Sequence, residues 1–115
     1  MIFVENKNLE NAFNYLLNEY KCSYSFENNY GDTYLFYNDD FKVKIYVWAQ
    51  FNELDINLIY KMENYHIDPY IEEPQKLLEI KKAKRGVKGF FNNYNKEFWS
   101  IVSIIVKNKI KRIVQ

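Results

Sequence analysis

Two consecutive stretches of alternation constrain this chain more than any other feature. Phe41, Val43, Ile45 and Val47 alternate with Lys42, Lys44, Tyr46 and Trp48, and Leu54, Ile56, Leu58 and Tyr60 alternate with Asp55, Asn57, Ile59 and Lys61. A period of two sends successive side chains to opposite faces of a strand, so each stretch has an apolar face and a polar or aromatic one. Two shorter stretches come before them. Cys22, Tyr24 and Phe26 alternate with Ser23 and Ser25, and Thr33 to Tyr37 reads as a second strand. Between these two lies Asn28-Asn29-Tyr30-Gly31-Asp32, whose Gly and Asn residues accept the positive φ of hairpin turns. Asn38-Asp39-Asp40 supplies the next turn. Four strands on short connections predict an antiparallel meander with one solvated face.

Helical spacing flanks the meander on both sides. Asn8 precedes Leu9, Ala12, Phe13, Leu16, Leu17 and Tyr20, steps of three and four that predict a helix over roughly 9–20, capped by the Asn side chain. Residues 65–70 read as a loop. Glu72-Glu73-Pro74 then opens a second helix with acids and a proline suited to a first turn, running to about Lys84. Arg85-Gly86-Val87-Lys88-Gly89 breaks it. From about Asn95, Trp99, Val102, Val106, Ile110 and Ile113 line one side of a third helix, and Lys96, Ser100, Ser103, Lys107 and Lys111 line another. Its β-branched residues leave a strand as the alternative for 95–113. The expected architecture is α+β: an N-terminal helix, a four-stranded antiparallel meander and two C-terminal helices packed on the sheet.

With 115 residues, 48% of them hydrophobic, and only 3 Gly and 2 Pro, the chain has material for a single domain spanning 1–115 and little for linkers. Asn, Lys, Ile, Tyr and Phe all have AT-rich codons and dominate the composition, so placement rather than abundance carries the functional argument. The N-terminal residues have neither the basic start nor the apolar run of a signal peptide, and no apolar stretch approaches the ~20 residues that cross a bilayer. One cysteine, Cys22, fits a reducing compartment. These features predict a cytoplasmic chain without a membrane span.

Residue supply also bears on catalysis. One His and one Cys are too few for a transition-metal site, and Gly31, Gly86 and Gly89 form no phosphate-cradling motif. His66 with Asp68 is the only local pair suited to acid/base work, and residues two apart in a loop need not face each other. Cys22 lies on the apolar side of its strand pattern, where a thiol is inert. Glu53 and Asp55 share a strand face but have no cleft of the kind glycoside chemistry needs. The expectation is a non-enzyme with no cofactor and no metal.

Formal charge divides unevenly: residues 1–71 hold 11 acids against 5 Lys, and residues 72–115 hold 4 acids against 11 Lys/Arg. Internal complementarity between sheet and helices is the simplest account. Two binding surfaces are the alternatives. On the acidic side, Asp39, Asp40, Glu53 and Asp55, with Glu27 and Asp32, surround Tyr46 and Trp48 on turns and non-core strand positions. Aromatic anchors ringed by carboxylates suit a basic protein partner. On the basic side, Lys81, Lys82, Lys84, Arg85 and Lys88, followed by Phe90, Phe91 and Tyr94, could pair with phosphates and stack on bases as a nucleic-acid-binding module.

The order of elements adds a family expectation. A helix with Leu9, Leu16 and Tyr20 is followed by Tyr30-Gly31-Asp32-Thr33-Tyr34-Leu35-Phe36-Tyr37-Asn38-Asp39-Asp40-Phe41-Lys42-Val43-Lys44-Ile45, then by Asn52-Glu53-Leu54-Asp55-Ile56. Over residues 9–60 this resembles small immunity-type proteins of bacterial polymorphic toxin systems, in which a helix precedes a meander with a tyrosine-rich strand pair. The resemblance implies a non-catalytic protein that binds and neutralises a cognate protein toxin, with no catalytic motif to carry over.

Overall fold

A computed structural model describes residues 7–48, 53–77 and 96–114. The chain forms an α+β fold around a five-stranded antiparallel sheet: β1 (Ser23–Asn28), β2 (Asp32–Tyr37), β3 (Phe41–Trp48), β4 (Glu53–Tyr60) and β5 (Glu63–Ile67), paired in chain order. Helices α1 (Lys7–Ala12) and α2 (Asn14–Asn18) precede the sheet, and α3 (Pro69–Glu72) and α4 (Lys96–Ile113) follow it.

Each strand keeps its apolar side chains on one face. Tyr34, Phe36, Phe41, Val43, Ile45, Val47, Ile56, Leu58 and Ile67 are buried there against Leu9, Phe13 and Leu16 of the N-terminal helices and Phe98, Trp99, Val102, Val106 and Ile110 of α4. Phe13 stacks on Phe36 with ring centroids 5.9 Å apart, and Phe98 meets Trp99 edge-on at 5.0 Å. Such large buried rings contribute much of the apolar area that offsets chain entropy. None of the alternate residues Leu35, Tyr46, Trp48 or Ile59 belongs to this core.

Several expectations need correction. The meander has five strands, because residues 63–67, expected as connection and loop, pair with β4 through Ile56↔Ile67, Leu58↔Tyr65 and Tyr60↔Glu63. The hairpin joining them turns at Lys61 and Met62 with φ of 50° and 66°, so the residues usual at such a turn, Asn and Gly, are missing. The N-terminal helix divides at Phe13, whose ψ of 12° departs from helical geometry while its ring enters the core. It ends where Lys21 takes φ 56° and the Cys22 N–H reaches back to the Leu16 carbonyl at 2.9 Å. Cys22 therefore precedes β1 rather than lying in it.

A short helix not read from the sequence precedes the one expected from Glu72: Asp68 caps α3 by accepting from the Tyr70 N–H at 3.0 Å, Pro69 occupies its first turn and Glu73 leaves helical geometry. Residues 74–77 are also helical, and its continuation to Lys84 and the break at 85–89 lie outside the described residues. Residues 96–113 are helix, not strand. Ser103, expected on the polar side, is buried: its hydroxyl donates to the Ser100 carbonyl at 2.8 Å, which satisfies it without solvent. No helix among the described residues is long and apolar enough to cross a membrane.

Candidate functional site

Because the helices take one face of the sheet, the register alone determines what the other face displays. Reading across from β1 to β4, one row is Glu27, Thr33, Tyr46, Asp55, and the next row inward is Ser25, Leu35, Lys44, Asn57, with His66 added from β5. At the rim, Trp48 stands opposite Glu53. Four of the expected partner-binding residues, Tyr46, Trp48, Glu53 and Asp55, are thus two adjacent cross-strand pairs on a single face. Side chains paired in this way lie ~4.5–5.5 Å apart at Cβ.

Asp39 and Asp40 are not part of that group. They occupy the β2–β3 turn, where Asn38 Oδ1 accepts from the N–H groups of Asp40 at 2.8 Å and Phe41 at 2.9 Å. Strand β3 separates them from Trp48 by about 24 Å at its usual rise. The alternation showed which face each residue takes, but their separation depends on which end of β3 each turn joins. The basic and aromatic set proposed for nucleic acid, Lys81, Lys82, Lys84, Arg85, Lys88, Phe90, Phe91 and Tyr94, lies outside the described residues.

Tyr46 is anchored by the β1–β2 turn. Its hydroxyl donates to the Tyr30 carbonyl at 2.6 Å, across the β1–β2 turn. Gly31 makes that approach possible: with φ of 106°, its hydrogen sits where a Cβ would stand 2.7 Å from the Tyr46 hydroxyl and 2.8 Å from ring carbon Cε1. Desolvation raises the phenol's pKa, and the carboxylates of Glu53 and then Asp32 raise it further. Asp32 also accepts from the Asn28 side-chain amide. Tyr30, at the tip of this turn, is 80% exposed. Alternation does not single out Tyr30 or Gly31, because their role comes from β1–β2 turn geometry.

His66 faces Asp55, with Nδ1 and Oδ1 3.1 Å apart and both side chains more than half exposed. Its expected partner Asp68 is engaged in capping α3 instead, so the structure does not bring the His66–Asp68 pair together. Cys22 is buried, and burial pushes its thiol up to about 11, the opposite of what a nucleophile needs.

Four carboxylates elsewhere have lysine partners. Glu10 pairs with Lys7, Glu19 with Lys107 of α4 at 3.2 Å, Glu72 with Lys109 at 3.6 Å and Glu73 with Lys76. Among the described residues no Lys or Arg pairs with Glu27, Asp32, Glu53 or Asp55. Beside this acidic end the open face carries a shallow concavity of about 330 Å³ lined by Ser25, Glu27, Thr33, Leu35, Lys42, Lys44 and Ile59. No protein-family model, curated protein or solved structure matches this chain.

Proposed function

We propose that this chain is a non-catalytic protein-binding domain that docks a basic partner on the open face of its sheet, and that its specific role is that of an immunity protein neutralising a bacterial toxin. The observation that carries the reading is the group of four carboxylates beside Tyr46 and Trp48, none of which has a Lys or Arg partner among the described residues, with Asp55 and Glu53 directly across the strands from the two aromatic side chains. An excess of negative charge at one end of such a face speeds encounter with a basic surface, and aromatic residues within it supply the anchoring contacts. A toxin that acts on nucleic acid presents cations to its substrate, so this face would cover its active site by electrostatic resemblance to that substrate.

Co-expression tests the reading. The open reading frame immediately upstream is expressed in a test bacterium with and without this chain, and rescue from its toxicity is the expected result. Glu53→Lys with Asp55→Lys should abolish rescue, and Asp39→Lys with Asp40→Lys should preserve it. A harmless neighbour, or killing regardless of this chain, removes the toxin pairing. Binding of a labelled oligonucleotide that falls steeply with salt would instead favour the nucleic-acid-binding module.

A further inference from the structure

We infer that the acidic end of the open sheet face reads an arginine guanidinium, and that this contact selects the basic partner; the inference rests on the docking role proposed above. A guanidinium is planar and weakly hydrated, so it can lie on an aromatic ring while its donors reach carboxylates to either side. A lysine ammonium is a compact, strongly hydrated point charge and cannot fill both demands at once.

Three observations fit the first cation better than the second. Tyr46 is held in place before any partner arrives, by its hydrogen bond to the Tyr30 carbonyl and by the contact of its phenol end with Gly31, so docking costs little rotamer freedom. Carboxylates flank the ring from two sides: Asp55 stands directly opposite it on β4, and Glu53 and Asp32 are near enough to act on its phenol. The Asp55 carboxylate is oriented by His66 through one oxygen, which leaves the other for an incoming donor. At the far end of the face the arrangement differs, since Lys42 stands opposite Tyr37 next to the turn that carries Asp39 and Asp40. That end has two neighbouring carboxylates without the same ring-and-carboxylate arrangement, and it serves as an internal comparison.

The test is an amide NMR titration of the full chain with three short peptides that differ only in carrying arginine, lysine or citrulline, at matched ionic strength. The arginine peptide should shift the amides of Tyr30–Asp32, Tyr46–Trp48 and Glu53–Asp55, and bind at least ~3-fold tighter than the lysine peptide. Citrulline, which keeps the shape and loses the charge, should leave them in place. Tyr46→Leu should reduce arginine binding to the lysine level, and Tyr46→Phe, which keeps the ring, should retain the preference. Unchanged core amide shifts report that each variant is folded. Equal binding of arginine and lysine at this end would overturn the guanidinium assignment while leaving protein docking intact, and so would shifts spread evenly over Asp39 and Asp40. A retained arginine preference with failed toxin rescue would instead sink only the toxin pairing.

Discussion

Replacing Gly31 by alanine tests whether the β1–β2 turn and the Tyr46 platform form one unit. The residue has φ of 106°, a conformation that costs an L-residue ~1–2 kcal/mol. The added methyl would also stand 2.7–2.9 Å from three atoms of Tyr46, closer than carbon atoms pack. The phenol end must therefore swing away, and a displacement that drives its χ angles off a rotamer adds ~0.5–1.5 kcal/mol. Together these give about 1.5–3.5 kcal/mol, which for a chain of this length is a fall in Tm of about 6–14 °C. In a Tyr46→Leu background the steric part disappears, so the same Gly31→Ala change should cost only ~1–2 kcal/mol, or about 4–8 °C. Thermal unfolding followed by circular dichroism on the four proteins of this cycle measures the coupling directly. If Gly31→Ala lowers Tm equally in both backgrounds, the ring does not rest on the turn and the preorganised platform is lost from the argument.

Other elements give further checks. Lys61 and Met62 carry positive φ without glycine, and Met62 is fully exposed, so Lys61→Asn with Met62→Gly should stabilise the β4–β5 hairpin by ~1–2 kcal/mol and raise Tm; an unchanged or lower Tm refutes the turn assignment. Tyr15 is partly buried against the core and its hydroxyl donates to the Ser103 carbonyl at 2.8 Å, with desolvation first and neighbouring Tyr20, Glu19 and Cys22 next in raising its pKa. The sign follows: above about pH 10 the unfolded chain loses this proton while the folded chain keeps it, so stability falls with rising pH by up to ~1.4 kcal/mol per unit. Urea unfolding between pH 9 and 11 should show that loss in the native chain and a shallower one in Tyr15→Phe; equal slopes would refute the assignment.

The fold was legible where alternation or helical spacing ran for at least five residues. Strands β1 to β4 and helix α4 follow from period-two and three-to-four spacing because burial on one side leaves a readable stripe. What escaped has local causes. Tyr65 and Ile67 do alternate with His66 as an edge strand should, but the hairpin that returns the chain turns on Lys-Met, a pair with no turn preference. The break at Phe13 is invisible because an apolar residue inside an apolar stripe gives no punctuation, and its departure from helical geometry goes with burying its ring against Phe36. Ser103 read as polar surface because its satisfaction comes from the carbonyl one turn back, a hydrogen bond that composition does not announce.

The candidate site divides in the same way. Membership of a face is a parity, so Tyr46, Trp48, Glu53 and Asp55 could be grouped from the sequence, whereas Asp39 and Asp40 share their charge but belong to the turn at the other end of β3. Parity says nothing about position along a strand. The asymmetry of charge between the two halves of the chain is likewise ambiguous by itself, because the same tally covers paired and unpaired groups. The structure separates them: Lys107 and Lys109 of α4 are used on Glu19 and Glu72, so part of the basic excess is internal. With those pairs set aside, four carboxylates that have no Lys or Arg partner among the described residues, Glu27, Asp32, Glu53 and Asp55, lie at the end of the sheet where Tyr46 and Trp48 share the face that the described helices do not cover, and an affinity that depends on them must weaken with salt while the helix-side pairs, being internal, do not enter it.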